Sequence, residues 1–202
     1  MAEQVFPTKG NLLAVKKSLE LAKTGYDLLD RKRNILIRET MSMMDAAVKL
    51  QEDINQVYAE AYQALQTANI TIGAIDELAQ SVPIDHGIQM TYRSVMGVEI
   101  PIVSHKDTPL RNLCGYTRTN AALDLAFVKF EQVKRMTIQL CEMENSVYRL
   151  ANGIKKTQKR ANALKNIIIP RFEETTKFIT AALEEKDREE FSRLKVIKST
   201  KQ

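Results

Sequence analysis

The sequence predicts an all-α protein: a long antiparallel two-helix coiled coil with a short β-hairpin-containing insert at the turn end. Three observations carry this. Helix breakers are scarce, with 7 Gly and 5 Pro in 202 residues, no Trp and only 6% aromatic residues, a composition that favours long helices over a compact mixed fold. Apolar residues recur at alternating steps of three and four along two separate stretches, the signature of helices that wind around one another. Between those stretches the character changes to β-branched and turn-forming residues. The divisions read 1–83 for the first helix, 84–117 for the insert and 118–202 for the second helix with a basic tail.

The first helix carries the stronger pattern. One seam runs through Leu12, Leu19, Tyr26, Arg33, Thr40, Ala47, Ile54, Ala61 and Ala68. Its partner runs through Val15, Ala22, Leu29, Leu36, Met43, Leu50, Val57 and Ala64. Only Arg33 and Thr40 break the apolar rule. A straight helix drifts about 20° per heptad against such a repeat, so its persistence over eight heptads specifies a supercoil. The pattern is expected to end at "AQSVPID", where Pro83 and nearby Gly87 stop a helix. Arg33 invites two readings: its stem packs while the guanidinium reaches water, or it meets Glu173, Glu174 or Glu184 on the returning helix.

The second helix is expected to begin at "TRTNAALD", with Thr119 or Asn120 as cap and Asp124 in the first turn. Ala126, Val133, Leu140, Val147, Ile154, Ala161 and Ile168 repeat every seven residues, with Phe130, Met136, Met143, Ala151 and Leu164 as a looser companion seam. Pro170 falls inside the pattern, lacks an N–H and crowds the preceding turn, so it is expected to kink or interrupt the helix. The pattern resumes through Phe172, Ile179 and Leu183. Gly25 and Gly153 interrupt helical runs, marking either tolerated strain or a close backbone approach.

In the insert, "IQMTYRSVMGVEIPIV" predicts a β-hairpin turning at Met96-Gly97. Gly97 supplies positive φ, and Pro101 assigns the second segment to an edge strand. The loop "SHKDTP" and a short turn or helix to Tyr116 complete it. His86 and His105 read as solvated loop histidines.

Charge completes the picture. The formal net charge is +5: residues 1–40 carry +3, 155–202 carry +6, and the middle carries −4. An antiparallel fold-back puts both basic ends together. In "TGYDLLDRKRNIL" the basic cluster Arg31–Arg33 is interspersed with Asp27 and Asp30 and has only Tyr26 nearby, which argues against a nucleic-acid grip. "LEEKDREEF" concentrates five carboxylates, interleaved with Lys186 and Arg188 at ion-pair spacing, and reads as a solvated face. Phosphate-cradling, metalloprotease and nucleophile-elbow motifs are absent, so no catalytic residue, metal or cofactor is expected. No run of about 18 apolar residues occurs, and "MAEQVFPTKG" lacks a secretory pattern, so a cytosolic chain without membrane insertion is expected. Cys114 and Cys141 read as reduced thiols.

Three blocks of the sequence resemble a family: "PTKGNLLAVKKSLELAKTGYDLLDRKRNIL", "VMGVEIPIV" and "RANALKNIIIPRFEETTKFITAALEEKDREEFSRLKVIK". Together they are similar to the D subunit of the V-type and archaeal-type rotary ATPases, in its prokaryotic form. The resemblance implies a rotor shaft of the central stalk. Its partners would be the A and B subunits of the catalytic hexamer, the small F subunit and a membrane-rotor adaptor, with no nucleic acid. Under that implication Arg31, Lys32, Arg38, Arg188, Arg193 and Lys195 are candidates to face the catalytic ring. Tyr92, Arg93, Val95, Met96, Gly97 and Val98 are candidates to face a stalk partner. The 34-residue insert is too short for the α/β domain of the F-type gamma subunit. The rival reading is a free-standing coiled-coil adaptor without motor function.

Overall fold

A computed structural model describes residues 6–73, 80, 82, 84–106 and 119–200. Helix α1 spans Lys9–Ile72, strands β1 and β2 span Ile88–Val95 and Val98–His105, and helix α2 spans Ala121–Ala163. A π-helical turn, Leu164–Ile168, leads into helix α3, Ile169–Thr200. Two compact units result, one holding Met1–Asn34 with Ile154–Gln202, the other Ile35–Gly153. The turn segment around Pro83, Cys114 and the stretch toward Tyr116 lie outside the described residues.

Thr8 starts α1: its Oγ1 accepts the Asn11 N–H at 3.2 Å, satisfying a donor that the first turn leaves open. The helix stops at Ile72, earlier than the "AQSVPID" boundary. Gly73 takes φ +92° and donates its N–H to Asn69 O at 2.9 Å, a left-handed glycine cap that closes the helix well before Pro83. At the other end of the insert, Asn120 caps α2, its carbonyl accepting from Leu123 N at 2.9 Å, with Asp124 in the first turn.

Every seam position expected on α1 is buried or half-buried. Leu36, Ala61 and Ala68 are fully enclosed. Thr40, the polar member, turns its hydroxyl back to Leu36 O at 2.8 Å and so sits buried without an orphaned donor. Partners identify the direction of the returning helix. In the first unit, Lys9 meets Asp187, Lys23 meets Glu173 and Arg33 meets Gln158. In the second, Leu36 lies beside Gly153 and Tyr62 beside Phe130. One residue number rises as the other falls, so the pairing in each unit is antiparallel.

The returning helix corrects two seam assignments, one in each row. Leu150, not Ala151, is enclosed; Ala151 is exposed. Buried Thr157 belongs to the same row, so the companion seam reads Met136, Met143, Leu150, Thr157, Leu164 at regular sevens. Ile168, expected inside, is exposed. The π turn is the reason: Ile169 N–H bonds back to Leu164 O, five residues rather than four. A π turn accommodates one residue more than an α-helical path. After it the seam continues one position late, through Ile169, Phe172, Thr176, Ile179 and Leu183, all buried or half-buried. Pro170, which has no N–H to give, follows directly; the interruption expected there takes the form of this bulge.

The two helical glycines separate. A methyl on Gly25 would meet only Leu164 Cδ1 at 3.9 Å, ordinary contact, whereas on Gly153 it would strike Val98 Cγ2 at 2.7 Å. Gly25→Ala is therefore expected to raise stability by about 1 kcal/mol, read as a higher midpoint in urea unfolding at unchanged slope.

The insert forms the expected hairpin. β1 and β2 pair antiparallel, Val95 opposite Val98 and Ile88 opposite His105. Met96 at φ 49° and Gly97 at φ 73° make the doubly left-handed two-residue turn that matches strand twist. The pair closing such a turn is hydrogen-bonded, and bonded and non-bonded pairs then alternate. Pro101, opposite Tyr92, falls in a non-bonded pair, where its missing N–H costs the ladder nothing.

Candidate functional site

β2 lies along α2 in the second unit. Gly153 admits Val98, Arg149 Nη1 donates to Glu99 O at 3.4 Å, and Glu142 Oε2 accepts the Val103 N–H at 2.9 Å. From Val98 to Val103 the strand rises about 17 Å, and from Gly153 back to Glu142 the helix rises about 16 Å. The two tracks therefore stay in step. Val103 occupies a non-bonded ladder position, so its amide points away from β1, and Glu142 satisfies it. Ile100 and Pro101 are buried, while β1 is exposed along nearly its whole length. Arg149 also lies over the Tyr92 ring, 5.4 Å from its centroid, a cation–π contact.

The hairpin base is fixed by charge. Asp85 accepts from Lys134 Nζ at 2.8 Å, His105 Nε2 at 2.6 Å and Gly87 N–H at 2.8 Å. Lys134 also donates to Glu131. His105 is accordingly a packed structural histidine, its side chain 9% exposed, and not the solvated loop residue expected; its position at the last register pair of β2 turns it toward Asp85. His86 is exposed. The Lys134 bond, with those of His105 and Gly87, holds the Asp85 carboxyl well below the usual carboxylate range. At Lys134 burial disfavours the charge, but the bonds to Asp85 and Glu131 outweigh it and raise its pKa.

The sign of the linkage follows. A depressed carboxyl contributes stability that is full above its ordinary 3.8 and is lost as pH falls toward its folded value. The raised lysine contributes below its ordinary 10.5 and loses that as pH climbs past it. Asp85→Asn is thus expected to lower stability by a constant amount across neutral pH, with the gap to the parent closing below pH 3.8. Unfolding curves taken as a pH series test this; a gap that widens in acid contradicts it.

The ring-end candidates fall in three places. Arg31 is exposed, Lys32 half-buried, and both lie near the Arg33–Gln158 contact. Arg188, Arg193 and Lys195 are exposed on α3, beyond the Lys9–Asp187 contact. Along α1, Lys9 and Arg31 are about 33 Å apart. Arg38 belongs to the other unit and is exposed. Arg188 pairs with Glu185 and Arg193 with Glu189, the ion-pair spacing read in "LEEKDREEF". Phe191, Leu194, Val196 and Ile197 on α3 are each more than half exposed. Arg33 meets none of the three glutamates considered for it. Its guanidinium pairs with Asp30 at 2.6 Å and donates to Gln158 Oε1 at 2.9 Å, while Lys23 takes Glu173.

Sequence reasoning missed Asp85, Lys134, Glu142 and Arg149. Glu142 and Arg149 stand seven apart on α2, off both seams, a spacing that marks a second face. Among the described residues no group of three His, Cys, Asp or Glu side chains is arranged to hold a metal, and no helix is long and apolar enough to cross a membrane.

Fold and site define the class: an α-helical coiled-coil protein whose seam is interrupted once and which carries a hairpin docked on its returning helix. The model of the ATP synthase D subunit family matches residues 11–199, and the chain belongs to that family. It is 43% identical to the V-type ATP synthase D subunit of Thermotoga neapolitana, over 96% of this chain and 97% of that one. It is 39% identical to the A-type ATP synthase D subunit of Thermococcus kodakarensis, over 98% and 96%. Against the A-type D subunit of Pyrococcus furiosus the identity is 37%, over 97% and 94%. The chain is thus one component of a V/A-type ATP synthase, an ATPase complex of several subunits.

Proposed function

We propose that the chain is the central-stalk rotor shaft of this complex. It couples ATP hydrolysis or synthesis in the hexamer of A and B subunits to ion translocation, working with the F subunit and a membrane-rotor adaptor on the cytoplasmic side. The observation that carries the reading is α1, 64 residues of helix whose seam is unbroken from Leu12 to Ala68. Torque transmission requires torsional stiffness, which a continuous buried seam against a returning helix supplies. Rotation inside a ring also requires that no single contact hold fast. Exposed charges contribute little each, and those on α3 are partly neutralised by their own neighbours. The exposed apolar residues near its C-terminal end and the Arg188, Arg193, Lys195 set suit a bearing surface against the ring. Tyr92, Arg93, Val95, Met96, Gly97 and Val98, at the hairpin tip, suit a stalk partner. As the shaft turns, each ring site meets a different face, so coupling is differential contact with the ring's conformational states.

A tagged chain purified from its host and analysed by mass spectrometry should bring the A, B and F subunits with it; recovery alone or with one unrelated partner supports the free-standing adaptor instead. Reversing Arg31, Lys32, Arg188, Arg193 and Lys195 together is expected to weaken ring assembly or ATP-driven rotation. The loss should be several-fold at low salt and shrink as the Debye length falls from about 30 Å at 0.01 M to about 8 Å at 0.15 M. Unchanged coupling at low salt contradicts a role for these charges.

A further inference from the structure

We infer that β1 is an acceptor for an added strand: an extended, apolar-acidic segment of a stalk partner pairs with its free edge and fills the groove beneath it. The inference rests on the reading that the hairpin meets a stalk partner, and it specifies how. In the register observed, Val95, Arg93, Thr91 and Gln89 occupy the bonded pairs with β2, while Ser94, Tyr92, Met90 and Ile88 occupy the non-bonded ones. The N–H and C=O groups of these last four therefore point outward from the sheet. The opposite edge is handled differently: at β2, Glu142 captures the Val103 amide, and Pro101 has no donor to expose. β1 has no such cover among the described residues. It contains no proline or lysine and a single charge, Arg93, whereas exposed edges are ordinarily blunted by such residues.

A second feature lies beside this edge. Ile88 and Met90 overhang a groove of about 250 Å³ floored by Ile138, Cys141 and Asn145 of α2. A strand added to β1 would direct alternate side chains to the face that carries Ile88 and Met90, and so into this groove. Among the described residues, the one charge lining it is a cation, Arg149, whose guanidinium spans Tyr92 and Glu99 O. Charge complementarity thus selects a strand with apolar residues over the floor and a carboxylate at the Arg149 end. A second copy of this chain fits less well, because its β1 would bring Arg93 and no carboxylate. Strand addition draws affinity from main-chain bonds and specificity from such side-chain pockets.

The test compares the isolated full chain with the assembled ATPase complex, using two readouts. Residue-level amide exchange should slow by more than about tenfold at Met90, Tyr92 and Ser94 in the complex. Gln89, Thr91 and Arg93, already bonded to β2, should change little. Maleimide labelling of Cys141, which is exposed in the chain alone and located by peptide mapping, should also slow. If Cys141 is protected while Met90, Tyr92 and Ser94 exchange freely, a partner covers the hairpin without adding a strand, and the inference fails while the stalk reading stands. If neither is protected in an intact complex, both fail. Met90→Pro removes one outward donor and leaves the β2 ladder intact, as Pro101 does on its own strand. It is expected to reduce recovery of the stalk partner several-fold while Gln89, Thr91 and Arg93 remain protected in the isolated chain. Full recovery with that ladder intact overturns the inference.

Discussion

Leu150→Ala is expected to lower stability by about 2–5 kcal/mol, because the side chain is fully enclosed in the second unit and its removal leaves a cavity as well as lost apolar transfer. Ala151→Gln, one residue away on an exposed position, is expected to shift stability by less than about 0.5 kcal/mol. The two substitutions read the helix phase directly. A one-residue rotation of α2 would reverse their order, since neighbouring positions differ by about 100° around the axis. Urea unfolding with far-UV circular dichroism measures both; equal effects, or the larger effect at Ala151, contradict a seam that runs through Leu150.

Gly153→Ala should be the second large perturbation. In a free helix the change would stabilise by about 1 kcal/mol. Here the new methyl would lie 2.7 Å from Val98 Cγ2, and overpacking of that kind costs about 1–3 kcal/mol. Val98 is β-branched, so it has few rotamers into which to retreat. The net expectation is a loss of up to about 2 kcal/mol, accompanied by faster amide exchange along β2 as the strand lifts from α2. Val98→Ala removes the obstacle, and in that background Gly153→Ala should become stabilising. A gain in stability from Gly153→Ala in the parent chain would show that the hairpin does not rest against α2 at this point. The contrast with Gly25→Ala is the control: identical substitutions, opposite signs, differing only in what stands in front of the missing Cβ.

Much of this was legible in the sequence because its determinants are periodic or local. The α1 seam could be read position by position, since sevenfold spacing over so many turns has no other structural use. Met96-Gly97 announced the hairpin because a two-residue turn needs left-handed backbone and glycine supplies it. What the sequence did not disclose depends on contacts between distant residues. Nothing local to Gly153 distinguishes it from Gly25; the difference is Val98, more than fifty positions away. His105 reads as solvated because its partner, Asp85, which Lys134 also holds, lies outside the strand that carries it. Ala151 reads as a seam residue because apolar spacing is ambiguous where alanine and leucine are adjacent. The partner surfaces were the least legible, since an open strand edge is a property of backbone pairing and leaves no mark in side-chain spacing.

The bulge at Leu164–Ile168 has a further meaning when the numbering is set against the heptad. Ahead of it the seam stands at Ala161 and Leu164; behind it, at Ile169, Phe172, Thr176, Ile179 and Leu183. Strike out one residue between Leu164 and Ile168, and those later positions fall onto an uninterrupted sevenfold count with the earlier ones. The two halves of the returning chain are therefore written in the same reading frame, separated by a single inserted letter. The π turn absorbs that insertion locally, where one extra residue in regular α-helix would have swung α3 by about 100° and turned Ile179 away from its partner helix.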